Sequence, residues 1–171
     1  FGFAFILSGG KHITLADPDN ERLNSSKRIS DILNIQDSSI NYVNSSIEKL
    51  NYNSNAFDLF VSIGTLEHIG EHNVPPALAK INDIAAKAIL ITTPNKFFPV
   101  IDHDTRILCL HWLPIKYRES ISKLFGKTTA EHCYFLSPFS YDIFKKKFRN
   151  VSRCLTFMDF EGFLKHYPIY R

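Results

Sequence analysis

Short apolar segments rich in β-branched residues alternate along the chain with segments of helical periodicity. We predict a β-strand for each of the four apolar segments: HITLA (12–16), INYV (40–43), FDLFVSI (57–63) and AILIT (88–92). The segments 19–34 and 74–87 instead repeat their apolar residues at helical spacing and are predicted to be helices. Strands and helices in alternation predict βαβ units, and therefore an α/β fold with a mostly parallel sheet and helices on both faces.

The pattern changes after Pro94. Residues 96–129 carry many aromatic, proline and histidine residues without a clean period, and we interpret them as a lid or insertion. Ser137 as N-cap and Pro138 in the first turn predict a helix over 139–148, and a strand is predicted over 151–157. The chain starts with Phe1 inside an apolar segment, and we expect the first strand of the sheet to be missing.

Composition narrows the classes of function. The net charge of +3 is too small to predict nucleic-acid binding, and no apolar segment approaches the roughly 20 residues of a membrane span. The three cysteines are widely spaced, with no C-x-x-C pair, which is typical of free thiols in a reducing compartment. We therefore expect a cytoplasmic protein with neither a nucleic-acid partner nor stable membrane insertion, and we leave its oligomeric state open.

Asp17 ends the first predicted strand, at the edge where ligands bind in open parallel sheets. A carboxylate at this position can accept hydrogen bonds from both hydroxyls of a ribose. The alternative is that Asp17 is the N-cap of the next helix, since aspartate is favoured there. The Gly-rich turn that opens such folds is reduced to Gly2, 15 positions upstream of Asp17.

The segment 68–72 reads H-x-x-E-H, which is a zinc-protease signature. A zinc site would need His68 and His72 one helical turn apart on one face. Gly70 interrupts that turn at a cost of about 1 kcal/mol relative to alanine. The Pro75–Pro76 pair also places a helix start after His72. A zinc hydrolase is therefore a minor alternative.

Three consecutive segments resemble the signature segments of class I S-adenosylmethionine-dependent methyltransferases: ITLADPDNERL (13–23), FDLFVSIGTLEHI (57–69) and AILITTPNKFFPVIDH (88–103). The resemblance implies a Rossmann-like fold, S-adenosylmethionine as cofactor, and methyl transfer to an O, N or C nucleophile. It also implies that residues 1–171 form a single methyltransferase-like domain, with 96–129 as its lid or insertion. We expect a small-molecule, lipid or sugar acceptor, because no basic aromatic stripe indicates a nucleic acid.

The resemblance also implies which residues contact the cofactor. Its ribose would be bound by Asp17, its adenine flanked by Ser46 and Ile47, and its methionine part lined by Ser62, Ile63 and Gly64, with Gly2 as the remnant of the Gly-rich turn. Ser46 departs from the family pattern, which usually has an acidic residue there. A glycine at position 64 suits a backbone that passes close to a ligand, although an ordinary strand-end turn also explains it.

His68 and His103 are the candidates for the acceptor side. A histidine can act as general base on an acceptor hydroxyl near pH 7, or be a structural residue hydrogen-bonded within its loop. His103 belongs with His111, His132 and Trp112 to the lid-like region, which would close over the acceptor and exclude water. For Trp112 and Phe97–Phe98 we favour a small satellite core of aromatic side chains.

Two other classes stay open. A non-catalytic Rossmann-like binding module fits both the serine at position 46 and the missing first strand. An NAD-dependent oxidoreductase shares the strand order and the ribose carboxylate. It would need an upstream G-x-G-x-x-G and a Tyr/Lys catalytic pair, and neither is found.

Overall fold

A computed structural model describes residues 1–97, 99, 107–126 and 134–148. The helices and strands follow in the order α1 (Gly2–Leu7), β1 (Ile13–Asp17), α2 (Asn20–Ile32), β2 (Ile40–Asn44), β3 (Phe57–Ile63), α3 (Val74–Ile84), β4 (Ala85–Thr92) and α4 (Ile115–Leu124). A 3-10 helix covers Pro138–Lys146, and shorter 3-10 turns occupy several loops. None of the helices in these ranges is long and apolar enough to cross a membrane.

The four strands form two parallel pairs. In the first pair β1 lies against β2, with Ile13 opposite Ile40 and Asp17 opposite Asn44. In the second pair β3 lies against β4, and the register runs to Ile63 opposite Thr92. Within the described ranges no strand joins the two pairs, and the missing first strand stays a prediction. Because each pair is parallel, the carboxyl ends of its two strands lie side by side.

The main difference from the expected pattern is the boundary between α3 and β4. The predicted helix extends to Lys87, whereas α3 ends at Ile84 and β4 begins at once with Ala85. Ala85 is fully buried and pairs with Phe57 of β3. Residues 85–87 continue the helical spacing of apolar residues, but pairing with β3 determines their conformation, as tertiary context commonly overrides local propensity.

Two further expectations changed in the second half of the chain. The segment 96–129 was expected to be irregular, but it contains the ten-residue helix α4. The helix predicted over 139–148 begins as expected, since Ser137 Oγ accepts a hydrogen bond from the N–H of Phe139 at 3.1 Å. Its conformation is 3-10 rather than α. The predicted strand 151–157 lies outside the described residues.

The hydrophobic core is built around α3. One cluster joins four residues of this helix to three from the segments beside it: Val74, Ala77, Leu78 and Ile81 with Leu66, Leu136 and Phe144. Phe60, Ile89 and Ile91 pack onto the cluster from β3 and β4. Full burial of each large aliphatic side chain is worth about 1.5–3 kcal/mol. Leu66 belongs to the loop after β3, so the core also fixes that loop against the sheet.

The carboxyl end of α3 is bound by a lysine that is distant in sequence. Lys147 Nζ donates hydrogen bonds to the backbone oxygens of Asn82 and Asp83, at 2.6 and 3.0 Å. The last carbonyls of a helix lack intrahelical partners, and a cation there also interacts favourably with the helix dipole. Lys147 therefore ties the 3-10 helix at 138–146 to α3.

We predict that Lys147→Met lowers the free energy of unfolding by about 1 kcal/mol, because two exposed, charge-assisted hydrogen bonds are lost. Urea denaturation followed by circular dichroism measures the change. Lys145→Met is the matched control, since the contact of Lys145 within the described residues is an exposed ion pair with Asp142 at 3.1 Å. Its effect should stay within about 0.5 kcal/mol. Equal effects of the two substitutions would show that Lys147 does not stabilise the end of α3.

Candidate functional site

Asp17 lies half-buried at the carboxyl end of β1 and keeps one carboxylate oxygen available. Its Oδ1 accepts the N–H of Asp19 at 2.8 Å. Asp19 is the N-cap of α2, and its own side chain accepts the N–H of Glu21 at 2.8 Å. The alternative interpretation of Asp17 as the N-cap is therefore wrong. Asp17 Oδ2 makes no hydrogen bond to any described residue, so it can accept hydrogen bonds from ligand hydroxyls.

The loop after β2 brings a carboxylate next to Ser46. Ser46 Oγ donates a hydrogen bond to Glu48 Oε1 at 2.5 Å. Glu48 Oε2 is buried and has no hydrogen-bond partner among the described residues. Ile47, between them, packs against the core cluster around α3. Position 46 is a serine, but the Glu48 carboxylate lies beside it.

At the end of β3 the Ser62 hydroxyl is buried, whereas the backbone at Gly64 has empty space beside it. Ser62 is buried, and its Oγ has no hydrogen-bond partner in the described part of the chain. Ile63 is half exposed. Gly64 has φ of +60°, a left-handed conformation that favours glycine, and its N–H donates to the carbonyl of Thr92 at 2.9 Å. Among the described residues, a Cβ built at Gly64 would contact only Glu67 Oε1, at 3.6 Å, which leaves space for a ligand beside this backbone.

Gly2 is the first residue of α1, and it lies against β1. A Cβ at this position would approach Leu15 Cδ2 to 3.0 Å and Ile13 Cδ1 to 3.2 Å. Glycine therefore permits close packing of helix on strand, which is the role of the third glycine in dinucleotide-binding turns. A direct contact of Gly2 with the cofactor stays a prediction.

The 3-10 turn Leu66–His68 after β3 buries the side chain of Glu67 and exposes that of His68. Glu67 is only 5% exposed, whereas His68 is exposed. Glu67 Oε2 has no hydrogen-bond partner in the described ranges. Burial first, and then the charge of Glu67, raise the pKa of Tyr141 to about 12. The role of His68 as a base stays a prediction, and His103 lies outside the described residues.

The zinc alternative fails on backbone geometry. His68 and His72 belong to two separate 3-10 turns, Leu66–His68 and Glu71–Asn73. Gly70, between them, has φ of +84° and breaks the helical path. The two histidines therefore do not share one helical face. In the part of the chain that the structure describes, no group of three or more His, Cys, Asp or Glu residues is placed to hold a metal ion.

A cavity of about 340 Å³ is lined in part by residues that follow β3 and β4 in sequence. Its lining comes from four separate segments: Glu71, Lys96, the stretch His111–Pro114 with Arg118, and Tyr134 with Phe135. The N–H of Tyr134 donates to the carbonyl of Glu67 at 2.8 Å, which places the cavity directly beside the Glu67 turn. Sequence reasoning missed the charged residues of this cavity, because no local pattern connects segments so far apart.

Trp112 lines this cavity and is 53% exposed, so the expectation of a satellite core is wrong for it. The same expectation is wrong for Phe97, which is 60% exposed, while Phe98 lies outside the described residues. His111 is buried instead, at 3% exposure. Its ring centroid lies 5.7 Å from that of Trp112 and 4.7 Å from that of Phe135.

Comparison with known proteins identifies the family. Residues 2–88, just over half of the chain, match the family model described as Methyltransferase domain. The chain belongs to this methyltransferase family. No curated protein matches the chain. A solved structure, a putative S-adenosylmethionine dependent methyltransferase from Listeria monocytogenes, is 15% identical, with a TM-score of 0.53 over 83% of this chain and 68% of that one.

The family match confirms the predicted membership in the methyltransferases and the predicted class of enzyme. At 15% identity the structural match shows the fold alone, and it confirms the Rossmann-like α/β class. Asp17, Ser46 and Gly64 lie at or just after the carboxyl ends of β1, β2 and β3, and open α/β sheets generally bind ligands at such ends.

The raised pKa of Tyr141 predicts a loss of stability at high pH. A tyrosine whose pKa is about 12 in the folded protein and near 10 when unfolded stabilises the fold fully below pH 10. That stabilisation is lost as pH rises from about 10 to 12, because the unfolded chain releases its proton first. Tyr141→Phe should flatten this part of the pH profile of unfolding free energy, measured by urea denaturation. Tyr117→Phe, at an exposed site, should leave the profile unchanged. Identical alkaline slopes in Tyr141→Phe and the parent would contradict the assignment.

Proposed function

We propose that this methyltransferase transfers the methyl group of S-adenosylmethionine to a small-molecule, lipid or sugar acceptor. The observation that carries the proposal is the set of polar groups, unengaged in the described structure, at the ends of β1, β2 and β3. Asp17 Oδ2, Glu48 Oε2 and Ser62 Oγ all lack hydrogen-bond partners among the described residues, and the backbone at Gly64 is open.

The chemistry of these groups fits the parts of the cofactor. The Asp17 carboxylate would accept hydrogen bonds from the ribose hydroxyls. The Ser46–Glu48 pair offers an acceptor for the adenine amino group, and Ile47 offers apolar surface beside it. Ser62, Ile63 and Gly64 would line the methionine part, where the open backbone permits a close approach. Buried polar groups without partners are uncommon in folded proteins, and a bound ligand accounts for them here.

S-adenosylmethionine supplies, when bound, a sulfonium-activated methyl group for in-line transfer to an O, N or C nucleophile. The contribution of the chain is to bind and orient, which alone accounts for much of the lowering of a barrier in a two-substrate reaction. A dedicated base is therefore optional. His68 and His103 remain our candidates for taking a proton from an acceptor hydroxyl.

We extend the proposal to the whole chain. Residues 1–171 form one methyltransferase domain, and residues 96–129 act as its lid on the acceptor side. The described part of this lid, with α4 and Trp112, lines the cavity beside the Glu67 turn, which supports that position. A cytoplasmic location without a nucleic-acid partner is supported by the widely spaced cysteines and the small net charge.

Asp17→Asn should weaken binding of S-adenosylhomocysteine at least tenfold in isothermal titration calorimetry. The amide retains an oxygen for the N–H of Asp19 and so preserves the turn. It replaces the free carboxylate oxygen with an N–H₂ donor and removes the charge. A hydrogen bond to a charged group is worth about 1.5–3 kcal/mol, which corresponds to a factor of roughly 10 to 100.

Asp58→Asn is the matched control for this titration. Asp58 is exposed at the opposite end of β3 and pairs with Lys87 at 2.7 Å, so its loss should leave affinity unchanged. Failure of the folded parent protein to bind S-adenosylhomocysteine would refute the proposed function. Binding of NAD in its place would restore the oxidoreductase alternative.

A further inference from the structure

The cavity beside the Glu67 turn has four side chains with flat rings in its lining. His111, Trp112, Tyr134 and Phe135 all line it. Trp112 Nε1 donates to the carbonyl of Lys96 at 2.9 Å, so the polar edge of the indole is already satisfied within the protein. The remaining ring surface is apolar and half exposed. Flat ring systems pack well against such walls, in offset-stacked or edge-to-face arrangements.

Lys96 provides an available positive charge at this aromatic surface. Its Nζ lies 5.8 Å from the centroid of the Tyr134 ring and makes no ion pair with the described residues. Glu71 is the carboxylate in the lining, and it lies close enough to the Tyr134 hydroxyl for its charge to act on it. Burial first, and then the charge of Glu71, raise the pKa of Tyr134, so this phenol stays neutral at physiological pH.

Arg118 adds a second, buried positive charge behind the wall. Its Nε donates to the carbonyl of Leu113 at 2.8 Å, and its Nη2 donates to the carbonyl of His111 at 2.7 Å. These bonds hold the turn that carries Trp112 in place. Lys96 is therefore the cation of the lining with which an anion can pair.

We propose that this cavity is the acceptor site and that it takes a small aromatic acid. The ring of the acceptor packs against Trp112 and Tyr134, and its carboxylate or phosphate pairs with Lys96. A volume of about 340 Å³ lies at the small end of ligand pockets, which suits a molecule of one or two rings. This inference rests on the proposed function, since it assigns the acceptor of the same reaction.

The test uses Trp112, the single tryptophan of the chain, as a reporter inside the cavity. Incorporation of 5-fluorotryptophan gives one ¹⁹F resonance, whose shift reports occupancy without any measurement of activity. The probes are benzoate and phenyl phosphate, with benzamide as the neutral isostere and cyclohexanecarboxylate as the anion without a flat ring. All titrations are done with S-adenosylhomocysteine present, and binding of that nucleoside is measured separately by calorimetry.

We expect benzoate or phenyl phosphate to shift the resonance saturably, with an affinity at least fivefold higher than that of benzamide or cyclohexanecarboxylate. A preference for one of the two anions identifies the acidic group of the acceptor. Lys96→Met should abolish the preference for anions over benzamide. Lys116→Met is the matched control, because Lys116 also lies over a tyrosine ring, that of Tyr117 at 4.8 Å, but does not line the cavity.

Three results would overturn the inference: no shift with either anion, equal affinity for benzoate and benzamide, or a preference that survives in Lys96→Met. Calorimetry separates this failure from failure of the proposed function. Binding of S-adenosylhomocysteine without a response to anions overturns the acceptor class alone. A response to anions with no binding of the nucleoside upholds an aromatic-acid site and overturns the methyltransferase reaction.

Discussion

The packing of α3 against the β3–β4 pair is the interaction on which the rest of the structure depends. α3 enters β4 without a connecting loop, and Ile84 and Ala85 at that junction are fully buried. The cluster around α3 also takes in Ile47 from the loop after β2 and Leu66 from the loop after β3. A single apolar contact surface thus positions two of the three loops that carry the candidate cofactor site.

Some of the buried polar groups without hydrogen-bond partners lie at or beside the candidate site. Glu48, Ser62 and Glu67 each hold a buried oxygen without a partner in the described structure. Leaving such a group unsatisfied costs roughly 1–3 kcal/mol. The three groups end or follow β2 and β3, and proteins tend to retain such costs at functional sites. The open backbone of Gly64 lies between Ser62 and Glu67 in sequence, and Asp17 Oδ2 is available at the end of β1.

The local sequence pattern was sufficient to predict several strand and helix boundaries. The span of β3, the start of α3 and the position of Asp17 at a strand end all follow from runs of apolar residues and from proline placement. The boundary between α3 and β4 did not follow, because pairing with β3 outweighs the helical spacing of residues 85–87. The burial of Glu67 and the exposure of His68 could not be predicted either. Which of these two neighbours points into the protein depends on the backbone of their 3-10 turn. The cavity residues Glu71, Lys96 and Tyr134 meet only through the tertiary fold.

The central claim is that the loops after β1, β2 and β3 form one binding site for the cofactor. Amide hydrogen exchange with and without S-adenosylhomocysteine tests it most directly, because it reports on each loop separately. The account predicts slower exchange in all three segments, 18–20, 46–49 and 64–67, with no change at the Lys147 end of the molecule. Protection of one segment alone, or protection confined to other parts of the chain, would contradict it.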